Sequence, residues 1–292
     1  MTVDAVLSTF LLDQQVKGNS INTVSFYRSC IGYFVSFVGN DFDVSGLTLP
    51  MLKSYYVSLS GRNLSSVTIQ TYVRALRCFL SWCYDEEYCS VDFSQKFRLP
   101  KAKRKVIDTL TDSEVRQLMS CFNLRYNIHL RNYCICCLML DCGLRMNEAV
   151  TLTVSALHLS DGYIVVEGKG NKQRIVPLGL QSRKVLLKYL SHRPALAATD
   201  RLFLMGDMRP ISLGTVKQLF RKLKKRSGIP RLKAHLLRHT FATRFLENGG
   251  DIYALQQILG HTSLEMVKRY VHTTPRKTVS KFLDFSPLDN LI

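Results

Sequence analysis

Two short stretches set the chemistry this sequence invites. The run "HLLRH", His235 to His239, puts His235 and Arg238 three residues apart, on one face of a helix. Downstream, "LGHTSLEMVKRYVHTTP", Leu259 to Pro275, places His261 nine residues before Tyr270, which directly follows Lys268 and Arg269. A phenol among cations fits a nucleophile aimed at a phosphate that the positive charges hold. The alternative is packing, because an aromatic residue at helical spacing ordinarily belongs to a core. Other motifs leave a similar choice open. In "GLRMNE", Arg145 follows a glycine turn at a helix start, with Glu148 one turn on; a surface ion pair explains this as well as an anion site does. In "GKGNK", Lys169 lies between two glycines at a hairpin tip, where a solvated turn lysine is the simpler explanation.

Hydrophobic spacing shows which elements must hold these side chains. Four helical patterns fill the first hundred residues, at about 3–16, 20–38, 50–60 and 65–88. In the last, Ile69, Val73, Leu76, Phe79, Leu80 and Cys83 recur on one face, and Asn19 or Ser20 and Ser65 or Ser66 are candidate N-caps. An all-α bundle over 1–99 is expected. Then "LPKAKRKVI" breaks the pattern with Pro100 and the cations Lys101, Lys103, Arg104 and Lys105. That predicts an extended basic linker over 100–107, able to lie along a phosphate backbone. The second domain, 108–292, opens with Thr111 and Glu114 spaced as a capping box. Helices follow near 128–141 and from 146, then a β-hairpin in "GYIVVEGKGNKQRIVPL", then helices near 181–191, 212–227, 235–248, 252–259 and 263–270. The expected class is mainly α with a small β-sheet, an α+β second domain.

Charge is unevenly spread along the 292 residues, whose net is +18. Residues 1–100 carry 8 Lys and Arg against 8 Asp and Glu, whereas 101–292 carry 32 against 14, so the whole excess lies in the second part. Confinement of that kind points to a nucleic-acid face. The nine cysteines are an odd number set mostly in apolar segments, as in a reducing compartment. Cys134-x-x-Cys137 lies inside an apolar helical run with no second pair at zinc-finger spacing, so no metal or redox role is assigned to it. The start of the sequence has no basic leader, and its longest apolar run, Tyr133 to Leu140, is far short of a bilayer span. A soluble cytoplasmic protein without a membrane partner is expected. No Gly-Lys-Ser/Thr phosphate loop occurs and no carboxylate cluster stands out, so neither a nucleotide cofactor nor a metal is expected.

The order of the motifs says more than any one of them. Arg145, the hairpin Lys169, His-x-x-Arg-His, Leu-Gly-His and the tyrosine nine residues on resemble the signature of the tyrosine recombinases, Xer-like members above all. "DCGLRMNEAVTL" is similar to that family's first-arginine box and "EGKGNKQRIVPL" to its β-hairpin lysine box. "HLLRHTFATRFLENGGDIYALQQILGHTSLEMVKRYVHT" is similar to its long C-terminal box, and the likeness runs nearly end to end. The resemblance implies a SAM-like helical bundle for 1–99 that binds core DNA, joined to a catalytic domain, with duplex DNA clamped between them.

It also implies roles. Tyr270 would attack a phosphodiester to give a 3′-phosphotyrosine, and a free phenol is only about one-thousandth ionised at neutral pH, so it needs cations and a base. Arg145 and Arg238 would grip the non-bridging oxygens. His235 and His261 would add hydrogen bonds, with His235 helping to take the phenol proton. Lys169 would protonate the departing 5′ oxygen, with Lys172 its rival, and Glu148 would orient Arg145. His239 and His272 are expected to be structural. Strand exchange through a Holliday junction would then need neither ATP nor metal. Phosphate contacts are expected from Arg28, Arg62, Arg74 and Arg77, from the linker cations and Lys172, and from Arg221, Lys222, Lys224 and Lys225 in "KQLFRKLKKRSGIPRLK". The apolar tail "VSKFLDFSPLDNLI" packs on its own domain or, by resemblance, on a neighbour, tying a tetramer around two DNA sites, alone or with a related recombinase. The rival functions are a type IB topoisomerase-like nicking-closing enzyme, a metal-free ribonuclease, and a DNA-binding regulator without chemistry.

Overall fold

Side-chain hydroxyls start the first four helices. Thr2, Ser20, Thr48 and Ser65 each accept from a backbone N–H three residues on, opening α1 (Val3–Val16), α2 (Ile21–Val38), α3 (Leu49–Ser60) and α4 (Ser66–Asp85). The computed structural model describes residues 1–97, 108–168, 172–193, 199–268 and 270–271. The linker cations Lys101, Lys103, Arg104 and Lys105, the hairpin Lys169, His272 and the apolar tail lie outside the described residues. The chain divides into two compact units, Met1–Lys105 and Val106–Ile292.

In the first unit α1, α2 and α4 pack together, with α3 against α4. Phe10 is the hub of the core, in edge-on contact with Tyr27, Phe79 and Trp82. α4 stops at Asp85 rather than the expected 88, because Glu87 turns into the left-handed region at φ 61°. A further helix, α5 (Phe93–Lys96), is capped by Asp92; one turn is too short to leave a periodic pattern.

The second unit opens with the expected capping box on α6 (Asp112–Ser120), Thr111 and Glu114 each reaching the other's backbone. α7 (Asn127–Asp141), α8 (Met146–Thr151), β1 (Leu157–His158), β2 (Tyr163–Glu167) and β3 (Gln173–Pro177) follow. Then come α9 (Leu180–His192), α10 (Leu213–Arg226), α11 (Ala234–Glu247), α12 (Ile252–Leu259) and α13 (Glu265–Lys268). The strands form an antiparallel sheet in the order β1-β2-β3; β1, at two residues, is too short to show alternation in the sequence. Buried α7 is the spine, packed on α9 and α11, and Cys134 and Cys136 face its core as free thiols that burial pushes up in pKa. The start of the unit is strapped to α11: Thr240 accepts from the Leu110 N–H, and Arg244 donates to the Leu110 carbonyl.

The helix expected over 263–270 is cut to α13: Lys268 still makes the α-type bond to the Leu264 carbonyl, but Tyr270 and Val271 bond back to the third residue before them, a tighter winding than α. Among the described residues no helix is long and apolar enough to cross a membrane. Among the same residues no three His, Cys, Asp or Glu side chains converge as metal ligands.

Candidate active site

The site is built around one carboxylate. Glu148, 4% exposed, reaches back from α8 to accept from the Arg145 backbone N–H at 2.7 Å and from Arg145 Nη1 at 2.7 Å. The helix is thus capped by an arginine–glutamate pair instead of a hydroxyl. On its other side Glu148 takes a two-pronged fork from Arg174 of β3, with Nη1 to Oε1 at 3.0 Å and Nη2 to Oε2 at 2.8 Å. A third guanidinium, Arg238, stands 3.8 Å from Oε2. Burial pushes the Glu148 carboxyl up in pKa, but the Arg174 fork and then the Arg145 bonds outweigh it and hold the group at about 2. Three cations against one anion leave a local excess of positive charge, and Arg145 stays 34% exposed, so an incoming phosphate oxygen can reach it.

Arg238 projects inward from α11 and is 4% exposed. Its Nη1 donates to the Gly143 carbonyl at 2.6 Å and its Nη2 to the Leu259 carbonyl at 2.7 Å. Nη2 also lies 3.1 Å from His261 Nε2, and since a guanidinium can only donate, the imidazole accepts at that nitrogen. Burial and then repulsion from Arg145 pull the Arg238 guanidinium down to about 10, still charged at neutral pH. One buried side chain thereby joins the turn before Arg145 to the turn that carries His261. His235, one helical turn before Arg238, is exposed at the start of α11.

Gly143 makes the Arg238 anchor possible. Its φ of 66° is left-handed, and an added Cβ would stand 2.4 Å from the Phe241 ring. Gly143→Ala is expected to destabilise the second unit by roughly 2–5 kcal/mol, backbone strain and overpacking together, read as a lowered urea midpoint.

Tyr270 departs from the picture of a phenol turned out beside His261. Its ring is 2% exposed and packs in a small cluster with Ala242, Leu255, Leu259 and Val267. Its hydroxyl lies 2.9 Å from His239 Nδ1, within electrostatic reach of Arg238. His239, expected to be structural, is therefore the nucleophile candidate's hydrogen-bond partner, and its ring is 6.2 Å from that of His235. The tight winding after Leu264 swings the ring inward, and periodicity could not show that.

The remaining candidates divide. Arg28, Arg62 and Arg74, and likewise Lys172, Arg221, Lys222, Lys224 and Lys225, are exposed. Arg77 departs from the expected phosphate contact: it is half-buried and its Nε donates to the Ser94 carbonyl at 2.8 Å, bracing α5 against α4. Arg174 was not among the expected site residues. A usable signal was present, since β3 alternates and Arg174 shares the inward face with Val176, where a charge demands a buried counter-ion.

Comparison with known proteins fits this geometry. The sequence model of the phage integrase family matches residues 108–277, and that of the phage integrase SAM-like domain matches 7–99. The tyrosine recombinase XerD of Halalkalibacterium halodurans is 30% identical over 295 residues, covering 98% of this chain and 99% of that protein. The crystal structure of XerA recombinase superposes with a TM-score of 0.54 at 27% identity, over 97% of this chain and 99% of that one. The Tn1549 transposon integrase in complex with transposon right end DNA shares the fold, with a TM-score of 0.80 at 19% identity over 98% and 100% of the two chains. The chain is a tyrosine recombinase of the phage integrase family.

Proposed function

We propose that the chain is a site-specific recombinase that cleaves and rejoins duplex DNA through Tyr270. The observation that carries this is the convergence of Arg145 and Arg238 on one buried carboxylate, with His261 accepting from Arg238 and the Tyr270 hydroxyl held by the residue next to Arg238. Residues 1–99 bind the core site, the cations of the linker 100–107 add phosphate contacts, and 108–292 carry the chemistry. The exposed cations of α10 supply phosphate contacts that position the duplex without reading bases. The protein works in the cytoplasm and assembles as a tetramer on two sites.

In the reaction, the Tyr270 oxygen attacks phosphorus, the bond to the 5′ oxygen breaks, and the phenol proton passes to His235. Lys169 gives a proton to the departing oxygen. Arg145 and Arg238 donate to the non-bridging oxygens, where charge grows in the transition state. The phosphotyrosyl ester keeps the linkage, so a 5′-hydroxyl from a second strand reverses the step. ATP has no part to play in that exchange. Tyr270 must first leave its pocket, which forfeits about 2–3 kcal/mol of ring burial and about 1 kcal/mol of hydrogen bond. DNA binding supplies that cost, so the free protein is quiet.

The test is a duplex nicked close to the scissile phosphate, from which the short 5′-hydroxyl strand diffuses away after cleavage. A denaturant-resistant adduct, with the nucleotide mapped to Tyr270 by peptide mass, is expected. Bound DNA without any adduct would favour the regulator. Junction formation between two sites separates recombinase from topoisomerase.

A further inference from the structure

We propose that Arg174 is a positioning residue for strand cleavage, fixing both phosphate-binding arginines and the His261 turn from the strand that leaves the hairpin. Its guanidinium uses every face. Nη1 and Nη2 grip the two oxygens of Glu148, and Nε donates to the Ile258 carbonyl at 2.6 Å. Ile258 lies at the C-terminal end of α12, where unpaired carbonyls favour a cation. The next carbonyl, Leu259, is the one Arg238 holds. Arg174 and Arg238 therefore fasten adjacent peptide units just ahead of His261, and both border the carboxylate that aims Arg145.

A glycine leaves room for this side chain. Gly260, left-handed at φ 61°, ends α12, and a Cβ there would stand 3.0 Å from Arg174 Cδ and 3.2 Å from its Nε. The Leu-Gly-His sequence thus reverses the chain toward His261 and leaves room for an arginine from the sheet. Arg174 lies in β3, the strand that follows the segment with Lys169. Any shift of that strand is passed to Glu148 and Ile258 through three hydrogen bonds.

No atom of Arg174 is assigned to the phosphate; it acts through Glu148 and the α12 turn. A displacement of about 1 Å in catalytic groups costs about 100-fold in rate, which sets the scale. Arg174→Gln is expected to slow first-turnover cleavage of the nicked duplex by about 10–100-fold at saturating DNA, with DNA affinity and reactive fraction unchanged. Arg174→Lys, which keeps a cation by Glu148 but not the fork or the Ile258 bond, is expected to recover part of the rate. Because Arg174 acts in part through Glu148, the loss in the double variant Arg174→Gln/Glu148→Gln is expected to fall short of the product of the two single losses, the remainder reflecting the Ile258 bond.

Three results would overturn the inference: an unchanged rate in Arg174→Gln, additive losses in the double variant, or a loss confined to the reactive fraction in both single Arg174 variants, as simple misfolding gives. The inference rests on the recombinase reading, and the two fail differently. A wild-type chain that binds DNA and forms no adduct refutes that reading, whereas normal cleavage by both wild type and Arg174→Gln refutes only the role of Arg174.

Discussion

Tyr270→Phe is expected to bind duplex DNA as the wild type does and to leave no protein covalently attached to it, a loss of at least about 10⁴-fold in first-turnover cleavage. The ring can stay where it is, packed on Ala242, Leu255, Leu259 and Val267, so the cluster remains filled. The hydrogen bond with His239 disappears. That deletion costs about 1 kcal/mol, a fall of about 2–4 °C in melting temperature. A large catalytic loss beside a small stability loss distinguishes a nucleophile from a core tyrosine. The measurement is a labelled nicked duplex run under denaturing conditions, with affinity followed separately by filter retention or anisotropy. An adduct that persists in Tyr270→Phe would mean another side chain attacks the phosphate. Loss of DNA binding in step with the adduct would mean the residue supports the fold.

The sequence shows where the helices begin more clearly than how the site is closed. Ser20, Ser65 and Thr111 are local signals, each a hydroxyl a few residues from the N–H it caps, and each lies at a cap position the chain pattern offers, Ser20 and Ser65 as one of two candidates. The order of Arg145, Arg238, His261 and Tyr270 is also legible, because it depends on residue types and spacing. What those side chains touch is not. Arg238 meets Gly143, 95 positions away, and Arg174 meets Ile258, 84 positions away, so these contacts exist only once α11, α12 and β3 have packed. Tyr270 is the sharpest case. Its spacing from His261 suggests a phenol turned to the phosphate, but tight winding after Leu264 buries the ring and hands its hydroxyl to His239. Helical periodicity cannot tell three residues per turn from 3.6 over so short a segment.

Glu148→Gln carries the second large effect, and it has a pH signature. The carboxylate compensates charge on Arg145, Arg174 and Arg238 while itself 4% exposed. A glutamine there turns an N–H₂ group toward guanidinium donors and leaves buried cations without their counter-ion. Breaking a buried pair in this way costs about 3–5 kcal/mol. With Arg145 no longer aimed, cleavage at saturating DNA is expected to fall by about 10²–10³-fold. The acid behaviour follows from the sign of the shift. Glu148 is held at about 2 in the folded chain against an ordinary value of 4.5. Its contribution is therefore fully present above about 4.5 and is lost as the pH falls toward about 2, a difference on the order of 3 kcal/mol. Asp43 and Glu114 are also held at about 2, and they titrate in both proteins. The informative quantity is thus the wild-type urea midpoint minus that of Glu148→Gln. It is expected to be large and flat from neutral pH down to about 5, then to shrink steadily as the carboxylate protonates. A gap that stays constant through the acid range would show that the loss in Glu148→Gln comes from packing and not from the negative charge, and the three arginines would then need another source of order.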